Sequence, residues 1–166
     1  AISHQELAEI ACKSGIRWLQ LRVKKKPYAE WLQIAKEVKQ ICHSFKTTFI
    51  INDSVEIAKE VDADGVHLGK NDISIIEARA ILGENKIIGG TANTLEDIQQ
   101  LQNDGVDYIG LGPYKFTETK KNLNPILGLD GYAKIVKSSD IQIKIPIIAI
   151  GGIQLEDVKL LMNTGV

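Results

Sequence analysis

Short apolar runs of strand length alternate with amphipathic helical segments along the whole chain. The pattern predicts strands at 16–22, 47–52, 64–68, 86–90, 106–111 and 145–150. It predicts helices at about 3–14, 28–44, 54–61, 73–82, 94–104, 129–139 and 154–164. Strands that alternate with helices indicate parallel βαβ units, and strands that are apolar throughout are typical of sheets covered on both faces. We therefore expect both faces of each strand to be buried.

The number of strands bears on the fold class. A (β/α)8 barrel has eight parallel strands and typically ~250 residues, whereas this chain has 166 residues and a pattern for six strands. The pattern begins with a helix and stops at Gly165-Val166, where the spacing of earlier units predicts another strand. We predict one α/β domain over residues 1–166, a TIM (β/α)8 barrel lacking its first strand and last βα unit. An open parallel sheet is the alternative.

Composition and charge indicate which kinds of partner the sequence argues against. Lys and Arg number 20 against 21 Asp and Glu, for a net charge of -1, which argues against a nucleic-acid partner. No apolar run approaches the roughly 20 residues of a membrane span, and the opening residues resemble a polar helix rather than a signal peptide. We expect a cytoplasmic protein with no membrane partner, and a homo-oligomer is left open.

The residues that could support covalent catalysis are few. Cys12 and Cys42 lack the spacing of a metal or redox motif, so we interpret them as reduced packing residues. His67 lies inside a predicted strand and is interpreted as a packed side chain rather than a catalytic base. The residue inventory favours electrostatic stabilisation of charged phosphates over nucleophilic catalysis.

Basic and amide side chains follow the first predicted strand. Arg22 offers a planar fork and Lys24 a point charge, and both suit phosphate oxygens. Gln20 is a neutral amide in an apolar run, which needs hydrogen-bond partners if it is buried and is suited to reading the edge of a heterocycle. Because the carboxyl ends of parallel strands share one face, we expect these residues to meet those of the next strands.

Asp53 and Asp72 are candidate metal ligands because each follows a predicted strand. Mg²⁺ prefers oxygen ligands and often takes a pair of carboxylates together with phosphate and water. The alternative is that Asp53 caps the next helix and Asp72 lies in a solvated turn. Their spacing alone leaves both interpretations open.

Two later segments are candidate phosphate sites. Thr117, Thr119 and Lys120 lie in a long connection at about 112–128, and long loops are disproportionately functional, although a solvated polar loop has the same composition. Gly151 and Gly152 form a tight strand-to-helix turn whose backbone amides are suited to an anion.

The motifs around these residues, in this order, resemble the thiamine phosphate synthase family. They are Gln20-Leu21-Arg22-x-Lys24, Ile50-Ile51-Asn52-Asp53, Gly65-Val66-His67-Leu68-Gly69-x-x-Asp72, Ile87-Ile88-Gly89, Asp107-Tyr108-Ile109-Gly110-x-Gly112-Pro113, Thr117-x-Thr119-Lys120 and Ala149-Ile150-Gly151-Gly152-Ile153. The resemblance implies a TIM-barrel transferase of thiamine biosynthesis. It would join a hydroxymethylpyrimidine diphosphate to a thiazole phosphate, giving thiamine phosphate and pyrophosphate.

The resemblance also implies residue roles. Asp53 and Asp72 would hold Mg²⁺, and Gln20 would help to seat the pyrimidine. The residues implied to grip the pyrophosphate are Arg22, Lys24, Asn52, Thr91 and Lys120, of which Arg22, Lys24 and Lys120 would be catalytic. Those implied to hold the thiazole phosphate are Thr117, Thr119 and Gly152. In the implied dissociative mechanism, pyrophosphate leaves first and the thiazole nitrogen captures the pyrimidine methylene cation.

Three positions depart from the family pattern and bear on competing activities. Val23 replaces a usual acidic residue, and Thr91 replaces a usual Ser. Asn93 stands in a stretch where thiazole tautomerases, which resemble this family in fold, use a His. Asn93 therefore argues against a tautomerase-like barrel.

Two more interpretations compete with a synthase. One is a non-catalytic homologue that binds thiamine-pathway phosphates or regulates the pathway. The second is a different phosphate-binding barrel enzyme such as an isomerase, for which no acid/base pair stands out in the sequence.

Overall fold

A computed structural model describes residues 2–117 and 125–166. Over these residues six parallel strands have hydrogen-bonded neighbours in sequence order: β1 (Trp18–Leu21), β2 (Thr48–Asn52), β3 (Gly65–Leu68), β4 (Ile87–Ala92), β5 (Tyr108–Leu111) and β6 (Ile147–Ala149). The helices are α1 (His4–Lys13), α2 (Tyr28–Ser44), α3 (Val55–Glu60), α4 (Ile75–Leu82), α5 (Leu95–Asn103), α6 (Gly128–Val136) and α7 (Val158–Met162), the last preceded by a 3-10 turn (Leu155–Asp157). The predicted α/β class with parallel strands is confirmed.

The chain divides into two compact units, unit 1 (Ala1–Ile88) and unit 2 (Gly89–Val166). The prediction that residues 1–166 form one domain stays a prediction. None of the helices among the described residues combines the length and apolar character that crossing a membrane requires.

Unit 1 is built around β2 and β3, whose side chains are buried along their length apart from Thr48. The parallel register places Leu21 of β1 beside Ile51 of β2, and Asn52 beside His67 of β3. Gly65 opens β3 where a Cβ would lie 2.1 Å from the Ile87 carbonyl oxygen, so a side chain there would collide with backbone. This register brings the last residues of neighbouring strands to the same end.

The two cysteines contribute to the packing of unit 1. Cys12 of α1 and Cys42 of α2 are free thiols, and both are buried. Their interpretation as packing residues is confirmed.

Unit 2 is built around β5, whose four residues are all buried. Tyr132 of α6 is fully buried, and its hydroxyl group donates a hydrogen bond to the Leu111 carbonyl at the end of β5. The Ile150 amide, just past β6, donates to the Leu111 carbonyl at 2.9 Å and to the Tyr132 hydroxyl oxygen at 3.3 Å. One buried hydroxyl therefore ties α6 to the ends of two strands.

Side-chain caps set the starts of four helices. The hydroxyl groups of Ser3, Ser54, Ser74 and Thr94 accept hydrogen bonds from backbone amides in the first turns of α1, α3, α4 and α5. Such caps satisfy amides that have no partner within the helix. They explain why α3, α4 and α5 begin one or two residues later than the apolar pattern alone suggests.

Two sequence-based expectations are wrong in detail. Strands β1 and β6 are not buried on both faces, because Trp18 is 39% and Ile148 41% exposed. These strands stand first and last in the order, with one hydrogen-bonded neighbour each. The helix predicted at 154–164 is instead a 3-10 turn followed by the five-residue α7.

Candidate active site

The candidate residues fall in both units. Unit 1 contains Gln20, Arg22, Lys24, Asn52, Asp53 and Asp72, whereas unit 2 contains Thr91, Thr117 and Gly152. Thr119 and Lys120 lie outside the described residues.

Lys24 and Asp53 form an ion pair between the segments that follow β1 and β2. The Lys24 ammonium donates a hydrogen bond to the Asp53 carboxylate, although the two residues are 29 positions apart in sequence. The side chain of Lys24 is 49% exposed and that of Asp53 is 27% exposed. The predicted meeting of these two strand ends is therefore confirmed, and the pair remains open to solvent and to a ligand.

The backbone at Asp53 has the left-handed conformation, with φ of 72°. A residue other than glycine in this region costs roughly 1–2 kcal/mol, although Asp is among the better tolerated. The Asp53 amide donates to the His67 carbonyl at 2.9 Å, which fixes the turn against β3. Because the next residue, Ser54, supplies the cap of α3, the alternative in which Asp53 caps that helix is wrong.

The Asp72 side chain bonds to the backbone directly after β3. Its carboxylate accepts a hydrogen bond of 2.6 Å from the Gly69 amide, and its own amide donates to the Gly69 carbonyl at 3.2 Å. Burial raises the pKa of the Asp72 carboxyl above its usual value, and the neighbouring Asp53 carboxyl raises it further, whereas the Gly69 amide and the Lys24 ammonium oppose the change. The two carboxyl groups, which come from different loops, therefore lie close enough to interact.

The donor chemistry of this pair fits a divalent cation. Two carboxylates placed close together repel each other, and burial removes the water that would screen them. A hard cation such as Mg²⁺ removes that repulsion and takes carboxylate oxygens as ligands. The pKa of Asp72 is raised chiefly by burial and further by the Asp53 carboxyl, and a bound cation would offset both effects. The solvated-turn alternative for Asp72 stays a prediction as well, since Asp72 is partly exposed and its carboxylate bonds to the Gly69 amide within its own turn.

The remaining candidates of unit 1 lie close to the same strand ends. Asn52 is buried at the end of β2, beside His67 in the register. Arg22 is half-buried, and among the described residues its guanidinium has no ion pair or side-chain hydrogen bond. Gln20 is exposed, because β1 is the first strand in the order, so the condition under which its amide would need partners inside the protein is not met.

Thr91 lies inside a strand rather than after one. Strand β4 continues to Ala92, two residues beyond the predicted end, and the register pairs Thr91 with Gly110 of β5. Thr91 is 9% exposed, so its hydroxyl group faces a mostly protein environment.

The Gly151-Gly152 turn is packed tightly against the segment that follows β5. A Cβ on Gly152 would lie 2.6 Å from the Phe116 carbonyl oxygen, and one on Gly151 would lie 2.7 Å from the Pro113 Cβ. Both glycines also have positive φ angles, 89° and 69°. Since side chains are excluded for both reasons, the turn is built for close backbone approach, with Thr117 next to Phe116 in the chain.

Sequence reasoning missed two polar contacts in unit 2. The Lys115 ammonium contacts both carboxylate oxygens of Asp157, at 2.7 and 2.8 Å. The Asn93 side-chain amide donates to the Gly112 carbonyl, just before the cis peptide bond of Pro113. No local signal distinguishes these residues, because each pair is 19 or more positions apart.

A separate groove of about 430 Å³ lies on the surface of unit 1. It is lined by residues of α1 and α2 and by Phe45, and none of the predicted site residues borders it. The groove is therefore distinct from the carboxylate pair.

Comparison with known proteins adds family relationships. Residues 2–166 match the family model described as thiamine monophosphate synthase. The thiamine-phosphate synthase of Phocaeicola vulgatus is 48% identical over 165 residues, which cover 99% of this chain and 79% of that protein. That of Flavobacterium psychrophilum is 52% identical over 157 residues, covering 94% of this chain and 76% of that protein.

A solved structure gives the same relationship. Thiamine phosphate pyrophosphorylase from Pyrococcus furiosus superposes with a TM-score of 0.86 at 35% sequence identity. The match covers 99% of this chain and 76% of that one.

Proposed function

The chain belongs to the thiamine monophosphate synthase family, and we propose that it joins 4-amino-2-methyl-5-hydroxymethylpyrimidine diphosphate to thiazole phosphate, releasing pyrophosphate. It is a transferase, as its relatives named thiamine-phosphate synthase are. The resemblance stated from the sequence motifs is thereby confirmed. The single observation that carries the chemical proposal is the carboxylate pair of Asp53 and Asp72 beside the Lys24 ammonium.

In this proposal Asp53 and Asp72 hold Mg²⁺. The metal supplies electrostatic stabilisation of the diphosphate and of the pyrophosphate that departs. Asp53 would then have two roles, because its carboxylate also forms an ion pair with the Lys24 ammonium in the structure. Ligation of a cation by Asp53 would compete with that ion pair and make the Lys24 ammonium available to the phosphate oxygens.

The chain's own residues then bind and neutralise the leaving group. Arg22 is half-buried and has no described partner, so it is available for two parallel hydrogen bonds to a phosphate. In unit 1, Asn52 completes the proposed pyrophosphate site and Gln20 lies against the pyrimidine. The roles in pyrophosphate binding that the resemblance implies for Thr91 and Lys120 stay predictions. Because no protein nucleophile or base is required, the dissociative route suits this inventory: pyrophosphate departs and the thiazole nitrogen captures the pyrimidine methylene cation.

The thiazole phosphate is assigned to unit 2. Thr117, Thr119 and Gly152 hold it in this proposal. The position of Gly152, packed against the Phe116 carbonyl oxygen that directly precedes Thr117, supports the assignment, because glycine turns of this kind suit anion binding. The full proposed architecture is a (β/α)8 barrel in which the first strand and the last βα unit are not part of this chain. Cytoplasmic location and oligomeric state remain predictions.

A pyrophosphate-release assay tests the proposal. Release should require the pyrimidine diphosphate, the thiazole phosphate and Mg²⁺ together. Asp53→Asn and Asp72→Asn should each lower turnover by about 100-fold or more, equivalent to roughly 2.7 kcal/mol of transition-state stabilisation. Asp62→Asn is the matched control, because Asp62 is an exposed carboxylate of unit 1 paired with Lys86. Equal release from the pyrimidine diphosphate alone would contradict coupling.

Two competing functions predict different results. A non-catalytic phosphate-binding or regulatory homologue would bind both substrates without releasing pyrophosphate. A thiazole tautomerase is disfavoured, because Asn93 occupies the relevant stretch and its side-chain amide is committed to the Gly112 carbonyl. An amide held in that way does not serve as a proton carrier.

A further inference from the structure

Asp157 is a buried carboxylate that the proposed chemistry does not use. It is 5% exposed and follows the Gly151-Gly152 turn by five residues. Its oxygens accept hydrogen bonds from the Gln154 amide at 3.0 Å and the Tyr114 hydroxyl group at 3.5 Å. A carboxylate this buried needs a cation or several donors to remain charged.

Lys115 supplies that cation from the segment after β5. Its ammonium contacts both oxygens of Asp157 and lies 5.2 Å from the centre of the Tyr114 ring. The side-chain hydrogen bond to Lys115 is the largest cause that lowers the pKa of Asp157, and the same bond raises the pKa of Lys115. The two residues are therefore charged together over the whole neutral range.

The ion pair coincides with a run of backbone contacts. The Tyr114 amide donates to the Ile150 carbonyl at 2.9 Å, and the Lys115 amide donates to the Gly151 carbonyl at 2.9 Å. The carbonyl oxygens of Lys115 and Phe116 then lie against Gly152, where a Cβ would be 2.9 and 2.6 Å away. Segment 113–117 thus runs along the Gly151-Gly152 turn. The Lys115–Asp157 ion pair links the same segment to the 3-10 turn (Leu155–Asp157) that follows.

We propose that Lys115 and Asp157 are positioning residues that hold segment 113–117 against the Gly151-Gly152 turn, so that Thr117 and Gly152 act on one phosphate. The inference rests on the proposed function, and it deepens that function by assigning a role to two residues that do not touch substrate. A phosphate held by groups from two segments binds well only when the segments keep their spacing. Loss of the ion pair should therefore weaken binding of the thiazole phosphate specifically.

Steady-state kinetics with both substrates tests this inference. Lys115→Met keeps an unbranched side chain but loses the charge, and it should raise the KM for thiazole phosphate by about 10-fold or more. The KM for the pyrimidine diphosphate should stay within about twofold, because its proposed contacts, apart from Lys120, lie on segments remote in sequence from residues 113–117. A general loss of stability would instead change both KM values, or the amount of active enzyme alone.

Four further variants sharpen the test. Lys115→Arg should restore the low KM, because a guanidinium can also contact both carboxylate oxygens. Asp157→Asn keeps an acceptor for the Gln154 amide, and the double variant with Lys115→Met should be no worse than either single one. Lys86→Met is the matched control, since it breaks an ion pair of unit 1 and should leave both KM values unchanged.

The outcomes separate the inference from the proposed function. If the unaltered protein releases no pyrophosphate with both substrates, the proposed function fails and the inference fails with it. If the unaltered protein turns over but Lys115→Met changes neither KM, or changes both equally, only the inference is overturned. Should Lys115→Met fold too poorly to assay, the KM values of Asp157→Asn decide by the same criterion.

Discussion

At the scale of single residues, Asp72 is a carboxyl group whose charge the folded protein disfavours. Burial is the main cause of its raised pKa, and the Asp53 carboxyl adds to it. Because the unfolded chain has no such penalty, the raised pKa makes folding less favourable once Asp72 ionises. The native protein therefore carries a cost at neutral pH that a bound cation can offset.

This cost predicts how stability depends on pH and on Mg²⁺. A raised pKa means that stability is fully present below the ordinary value of 3.8 and is lost as the pH rises through the folded-state pKa. Asp72→Asn, which keeps an acceptor for the Gly69 amide, should melt at a higher temperature than the unaltered protein at pH 7 in chelator. Mg²⁺ should raise the melting temperature of the unaltered protein but not of the variant.

The control for this measurement is a carboxylate with the opposite shift. The Lys86 side chain lowers the pKa of Asp62, so Asp62→Asn should lower the melting temperature or leave it unchanged in the same buffer. A lower melting temperature for Asp72→Asn in chelator would show that its hydrogen bonds matter more than its disfavoured charge.

At the scale of secondary-structure elements, the hydroxyl group of Tyr132 joins α6 to the ends of β5 and β6. Burial raises the pKa of Tyr132 to about 12, so it stays protonated and can donate at any physiological pH. Its partners are backbone groups of Leu111 and Ile150, which also bond to each other. The three groups form one small buried network.

Removal of that hydroxyl group should cost stability without changing the apolar packing. Tyr132→Phe should lower the free energy of unfolding by about 1–2 kcal/mol, the usual penalty for weakening buried hydrogen bonds. Denaturant unfolding followed by circular dichroism measures it. Tyr28→Phe is the control and should have little effect, because Tyr28 is half exposed and bonds to the exposed Glu60. An equal loss in both variants would indicate that burial of the network is unimportant.

At the scale of the whole molecule, the cysteines report whether unit 1 is folded. Cys12 is 2% exposed and Cys42 is fully buried, with a pKa that burial raises to about 12. Since the thiolate is the reactive form, neither residue should react with an aromatic disulfide reagent at pH 8 in the native state. Full denaturation should release both thiols per chain. Rapid native reaction of even one thiol would contradict the packing of α1 against α2.

The order and type of the elements could be predicted from the chain alone. Apolar runs bounded by Gly, Ser, Thr and Asp identified every strand and α-helix of the described residues, although the last predicted helix is a 3-10 turn followed by the short α7. Local periodicity and capping act over a few residues, which is why the sequence shows them. Element ends were less accurate, as for β4, which continues to include Thr91. The exposure of Gln20 was missed because burial of a strand depends on what covers it, which no local pattern states.

The same distinction holds for the candidate site. The chain itself determined which chemistry was available: carboxylates, ammonium and guanidinium groups after strands, and glycines where backbone must approach backbone. Only the tertiary structure decided that the Asp53 carboxylate pairs with Lys24 and interacts with the Asp72 carboxyl. The same holds for the ion pair between Lys115 and Asp157. The physical reason is that charge interactions and burial depend on distances in space, and these pairs are 19 to 42 residues apart in sequence.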